Sequence, residues 1–391
     1  MSKKHSAALE HAIVVALAFI LMGIVAVLTV NVSFLNPISR AYSNLSFSDM
    51  YFQIMRHNVE PDTSDIVTIV DMTELYRRGD LAELLTNIDD MKPAAIGVDI
   101  MFGGVKDDSL GNDLLKETVG NMQSNTVFAN KLTDYDLETG RFTHSVRSFF
   151  LDSIPVREGY VNLTDNMKRS TIRNYTTTQQ LNDTQAESFP YAIAKVFDSS
   201  VSDPSGNPYI DYGNYVFRIV SPDELDEHED DIAGHIVIVG AAHENKDTHR
   251  APTGKMSGVE IQAYSLETIL QRKDIHDAPA WLSWTVAVIL CILFELFFQA
   301  VINYVTSHKK NMLLTFLHKS SLLTTIILAV GLTIANGIGY LVFKHCHLYL
   351  DATLILSLLA LVVIARFYYA GFIAAFSTKT KNSFIQNSIF K

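Results

Sequence analysis

Cysteine is almost absent from this 391-residue sequence: only Cys291 and Cys346 occur, both in or beside apolar runs near the carboxyl end. The polar block of residues 33–280 therefore has no disulfide framework and must rest on a packed core, which a segment of that length can supply. Basic charge is scarce there too. Between Asn31 and Ala280 stand 39 acidic against 21 basic residues, which removes the basic footprint that nucleic-acid binding requires. Catalytic signatures are also missing. No HExxH is present, and GAAHENKD has a glycine after a strand but not the lysine spacing of a phosphate-binding loop. No nucleophile elbow or Ser, His and Asp set is recognisable, and there is no internal repeat or long low-complexity tract.

Long apolar runs are what the sequence has in excess, and they sit at its ends. Residues 1–11 are polar and carry Lys3 and Lys4, and residues 12–32 form an apolar run of about 20 residues, enough to cross a bilayer. That run is longer than a signal-peptide core, and VLTVNVSF offers no small-x-small cleavage site, so an uncleaved anchor is expected. Residues 281–305, 320–343 and 349–372 predict three more spans. Lys309, Lys310 and Lys319 fall in the 306–319 loop and Lys379, Lys381 and Lys391 in the 373–391 tail, whereas only Lys344 lies in the link between the last two spans. By the positive-inside rule both termini are cytoplasmic and the acidic 33–280 block is extracytoplasmic.

Within that block Ile38 to Met55 reads as helical, and Pro61 to Ser64 as a turn before the strand Ile66 to Val70, which ends at Asp71. Leu81, Leu84, Leu85, Ile88 and Met91 follow at helical spacing. Next come a strand in AAIGVDIMF with Asp99 near its end, a helix over Leu110 to Met122, and the strand TVFA. This alternation predicts a largely parallel sheet with right-handed crossovers. Asn130 to Phe189 reads as an insertion of short strands and loops, Phe189 to Phe197 as a helix, Tyr215 to Val220 as a strand and Pro222 to Asp231 as an acidic loop. HIVIVGAA is a strand buried on both faces. It leads through the polar loop HENKDTHRAPTGKMS into a helix with apolar residues at Val259, Ile261, Ala263, Leu266, Ile269 and Leu270.

These residues carry a resemblance. Asp49 and Arg56 before Pro61, IVTIVD, AAIGVDIMF, Gly159 with Asn162, Asp165 followed by Arg169 and Arg173, HIVIVGAA, Asp247, Pro252 beside Thr253, and GVEIQA together resemble the type-two CHASE domain. That family is an extracytoplasmic sensory module of bacterial cyclases and kinases, with one span before the sensor and three after it. The sequence departs from it in two places. YRRGD stands where the family has a Trp and Pro-rich turn before an Arg, leaving Arg77 and Arg78 both open, and Gln262 stands where a His is common. Family members usually continue into an output domain, whereas residues 373–391 are too few to fold as one.

Asp71 and Asp99 are expected at the carboxyl ends of parallel strands, the edge where open α/β sheets bind ligands. If those strands are neighbours, the two carboxylates share a pocket with Asp107, Asp108 and the Asp247 loop, suited to a divalent cation or a cationic ligand. The alternative is that they cap helices or hold loops through backbone amides. His243, Asp247 and His249 are of metal-ligand type but match no strong spacing signature. Glu295 and Arg366 lie at similar depth in their spans and are expected to form an intramembrane ion pair, with Gln299 on the face of Glu295. Gly331, Ala335 and Gly339 allow close helix packing. Phe384, Ile385, Ile389 and Phe390 give the tail either an amphipathic or a disordered character.

The expected protein is thus an α/β extracytoplasmic domain plus α-helical membrane spans, one before and three after. The resemblance implies a multi-pass bacterial inner-membrane sensor of an extracytoplasmic ligand, acting through its spans on a separate output protein or as a homo-oligomer, with no nucleic-acid partner. No cofactor is expected beyond a divalent cation. A metal-dependent extracytoplasmic enzyme and an envelope protein-binding scaffold are the alternatives.

Overall fold

The computed structural model describes residues 3–31, 46–58, 60–106, 108–163, 171–204, 206–243, 247–308, 316, 321–377 and 383–390. The chain divides into two compact units, one formed by Met1–Phe47 with Asp277–Lys391 and the other by Ser48–His276. Helix α1 (Lys3–Asn31) belongs to the first.

The Ser48–His276 unit opens with α2 (Phe47–Asn58), whose Tyr51, Phe52 and Met55 are buried. Then follow β1 (Asp62–Asp71), α3 (Arg78–Asp90), β2 (Ala95–Val98), α4 (Ser109–Asn121) and β3 (Thr126–Asp136). The short strands β4 (Arg141–Val146), β5 (Arg157–Tyr160), β6 (Thr178–Leu181) and β7 (Thr184–Glu187) come next, then α5 (Phe189–Phe197) and β8 (Tyr215–Val220). The expected acidic loop is instead helical: Pro222–His228 forms a 3₁₀ turn that runs into α6 (Glu229–Ile232), because Pro222 sets the backbone angle of a first helical position. Strand β9 (Ile236–Gly240) and the hairpin β10 (Thr248–Ala251) and β11 (Gly254–Ser257) lead into α7 (Gly258–Gln271).

The sheet has the order β7-β6-β4-β3-β2-β9-β1-β8, with β5 also joined to β3. From β3 to β8 every pairing is parallel, and β9 lies between β2 and β1. All five residues of β9 are buried, which is why its run is unbroken rather than alternating. Val237 and Val239 face the layer of α3 and α4, where they pack with Leu85, Ile88 and Leu115. Helices α5 and α7 contact the sheet and each other. Each such aliphatic side chain contributes about 1.5–3 kcal/mol by leaving water. Strand β1 starts earlier than the proline turn suggests. Asp62 and Thr63 already pair with Tyr215 and Val216, and the register slips before Thr68. Ser64 fills the slip by accepting from the amides of Ile66 and Val67.

In the other unit α1 is joined by α8 (Ala280–Ser307), α9 (Leu322–Cys346), α10 (Ala352–Ser377) and the short α11 (Ser383–Gln386). Helices α1, α8, α9 and α10 are each long and apolar enough to cross a membrane. Helix α10 touches the other three, and Val14, Ala18, Ala287, Cys291, Leu358 and Val362 form part of their shared core. Gly331 lies against the Phe294 ring, with no room for a β-carbon, so the small residue sets the approach of α9 to α8. Ile289, Leu293 and Phe297 remain exposed, as side chains facing lipid do. Lys309, Lys310, Lys319, Lys379, Lys381 and Lys391 lie outside the described residues.

Candidate functional site

The carboxyl edge of β2 and β9 carries a cavity of about 680 Å³, lined by Asp99, Lys131, Asp247 and His249 beside apolar Val161 and Ile172. Asp99 follows β2, and its amide donates to the carbonyl of Val239 at 2.8 Å. Gly240 has no room for a side chain, since a β-carbon there would meet Val259 at 2.7 Å and Asp99 at 3.3 Å. Ser257 caps α7 and forms a reciprocal capping box with Glu260. The Asp247 carboxylate then lies directly over Gly258, the first residue of α7, where the helix dipole favours negative charge. His249 Nε2 lies 3.0 Å from Asp247 Oδ1. Gln262, one turn into α7, donates to the carbonyl of Val161 at 3.1 Å. Asn162 binds both the amide and the carbonyl of Leu132, which holds the β5 end to β3.

Burial pushes the Asp99 carboxyl up to about 7, the like charge of Asp247 adds to the rise, and His249 opposes it. Such a group keeps its proton to a higher pH than an ordinary carboxyl does. No cluster of three His, Cys, Asp or Glu side chains suited to a metal ion occurs among the described residues. His243, Asp247 and His249 accordingly do not converge: His243 lies 2.6 Å from Asp71 and His249 on Asp247.

Asp71 is not among the residues lining this cavity, because β9 separates its strand from that of Asp99. Its Oδ1 accepts from the amides of Ala242 at 2.8 Å and Thr73 at 3.0 Å, and from the Thr73 hydroxyl at 2.5 Å. Burial raises its pKa, but these bonds and His243 outweigh it and hold the carboxyl below its ordinary value. Asp71 thus ties the loop after β1 to the loop after β9. Asp108 caps α4 by accepting from the Gly111 amide at 3.0 Å. Asp107, Asp165 and Arg169 lie outside the described residues.

Several charged residues of the family pattern form a frame. Arg173 is buried and grips Asp49 of α2 with two bonds, at 2.6 and 2.7 Å. Arg56, also on α2, donates to the carbonyls of Tyr212 and Tyr215 and to the Tyr264 hydroxyl of α7. Of the arginine pair in YRRGD, Arg78 is the buried one: it bonds Asn112 and the Gly104 carbonyl and stacks 4.2 Å from the Phe149 ring centre. Three links had no local sign in the sequence, since their partners are far apart along it. The Ile172 amide donates to Arg250, Tyr175 donates to Asp274 at 2.6 Å, and the Tyr209 amide donates to Ile275.

In the helical unit the structure brings Glu295 and Arg366 together. Arg366 Nη1 donates to Glu295 Oε1 at 2.5 Å and its Nη2 to Gln299. A third member, His11 of α1, lies 3.1 Å from the same Glu295 oxygen. The Arg366 guanidinium is 4.6 Å from the ring centres of both Phe298 and Phe390. Glu10, fully buried, accepts from the Ser388 hydroxyl at 2.6 Å and the Ile389 amide at 3.1 Å. Glu10 and His11 precede the expected first span, so depth counting along the spans does not reach them.

A family model described as the CHASE2 domain matches residues 19–300. Comparison with curated proteins and with solved structures gives no match.

Proposed function

The chain belongs to the CHASE2 domain family, a family of sensory domains, and from that premise we propose that it is a membrane-bound receptor whose sheet-edge cavity takes an extracytoplasmic cationic ligand. The observation that supports this is Asp99. It is a carboxyl group raised to about 7 beside Asp247 in a cavity whose other walls are partly apolar, which suits an amine carrying a small hydrocarbon body. A cation between the two carboxylates relieves their repulsion.

Transmission follows the backbone that forms the cavity wall. Ile172 is bonded to Arg250 at the cavity, Arg173 next to it holds Asp49 of α2, and Tyr175 holds Asp274 beyond α7. A ligand that displaces residues 171–176 therefore acts on both ends of the Ser48–His276 unit. Only residues 272–279 separate α7 from α8. In this reading the acidic domain is extracytoplasmic, both termini are cytoplasmic in a bacterial inner membrane, and the output passes through the spans to a separate protein or a second copy.

Calorimetry on the full chain in nanodiscs, titrated with alkyl amines and diamines, tests the cavity. Binding that strengthens as pH rises through 7 and is lost in Asp99→Asn is expected. Equal binding by the wild type and Asp99→Asn would remove the cavity from the function.

A further inference from the structure

We propose that the end of the helical unit where α1 begins and α10 ends is a binding site for a short peptide of the type hydroxyl, aliphatic, aromatic, and that Ser388, Ile389 and Phe390 are its resident, exchangeable occupant. The inference does not depend on the sensory reading.

The receptor side is built into the fold. Glu10 is fully buried and Tyr369 is 7% exposed. Arg366 is held by Glu295 and Gln299, so its guanidinium plane is positioned without help from the peptide. A positioned guanidinium with a free face is a platform for an aromatic ring.

The occupant reads that platform residue by residue. The Ser388 hydroxyl and the Ile389 amide both donate to Glu10 Oε2, at 2.6 and 3.1 Å, which sets the direction of the backbone and selects a hydroxyl at the first position. The Phe390 amide donates back to the Ser388 hydroxyl at 3.1 Å and closes a tight turn. The turn brings the Phe390 ring edge-on to Tyr369 at 5.1 Å, beside His11 at 6.2 Å and over Arg366 at 4.6 Å. Removing Phe390 would uncover apolar and guanidinium surface together.

Exchange follows from how lightly the segment is seated. From Phe384 to Phe390 each side chain is half-buried or exposed, whereas the Glu10 beneath is fully covered. The segment's one helical element, α11, spans four residues, too few to be stable alone. Beside Ile385, which packs on the bundle core, and Gln386, which donates to the Ser377 carbonyl, its defining contacts are a carboxylate with two donors and one stacked ring, an arrangement that another segment with the same residue pattern can reproduce.

The test uses a fluorescein-labelled peptide of residues 382–391 and the chain in nanodiscs. A variant lacking residues 383–391 and the full-length Phe390→Ala variant should both bind the peptide at least tenfold more tightly than the full wild-type chain, whose own segment competes. A peptide carrying Ser388→Ala and Phe390→Ala should bind at least tenfold more weakly than the unaltered one. The full-length variant keeps the test decisive if the shortened chain does not fold. Equal binding by the wild type and Phe390→Ala, or by the two peptides, overturns the proposal.

Discussion

The sheet-edge cavity and the polar cluster of the helical unit use the same chemical groups and treat them in opposite ways. Each has two carboxylates, a histidine and an arginine or lysine. In the cavity Asp99 is buried beside Asp247, and burial first and the like charge second raise its pKa. In the helical unit Glu295 is matched by Arg366 and His11, and Glu10 by donors from the tail. The surroundings explain the contrast. The domain cavity leaves a carboxyl the option of holding its proton, whereas a charge inside a membrane-spanning bundle must be paired when the helices assemble.

Breaking the pairing should have the largest effect. Arg366→Ala leaves buried Glu295 with only His11 beside it and is expected to cost about 3–5 kcal/mol, read as a lower melting temperature of the full chain in detergent. Replacing both residues with alanine should recover most of that loss, and a double variant as unstable as the single one would show that the two act separately.

The cavity should respond with the opposite sign. A carboxyl raised to about 7 from 3.8 holds its proton better in the folded chain than in the unfolded one. Its stabilising contribution is complete below about pH 3.8 and is lost as pH rises through about 7. At roughly 1.4 kcal/mol per unit, the ceiling is about 4 kcal/mol. Asp99→Asn should therefore gain stability relative to the wild type between pH 4 and 7 and hold that gain above it, as measured by melting at a series of pH values. A difference independent of pH would mean that Asp99 is ionised throughout.

Smaller changes sharpen the division between frame and site. Arg173→Lys keeps the charge but loses the two-bond grip on Asp49, and about 1–3 kcal/mol of stability should go with it. If the frame transmits the signal, ligand affinity stays while any downstream response falls. Asp108→Ala removes only the cap of α4 and should cost about 1 kcal/mol in thermal stability, with amine binding unchanged. A loss of binding there would return Asp108 to the site.

Much of this was legible because it depends on local periodicity. Strand β9 announces itself by four apolar residues in a row, α7 by its spacing, and the spans by length. Glu295 and Arg366 could be matched by counting depth. Strand adjacency could not be read. Placing β9 between β1 and β2 depends on which buried surfaces fit, and it separates Asp71 from Asp99 although both end a parallel strand. The Asp71 side chain then turned to Ala242 and Thr73, the bland alternative of a loop held by backbone amides. Neither Tyr175 nor Asp274 carries any local mark of the other, 99 positions away.

Hydrophobic pattern and charge by themselves determined that four apolar helices flank an acidic α/β domain with a largely parallel sheet, because burial periodicity and span length are properties of neighbouring residues. Only the tertiary structure decided which carboxylates face a cavity, which are tied down, and that Glu10, His11 and Phe390 join the Glu295–Arg366 pair. Those outcomes depend on the compensation of buried charge by groups distant in the chain, which no stretch of sequence contains on its own.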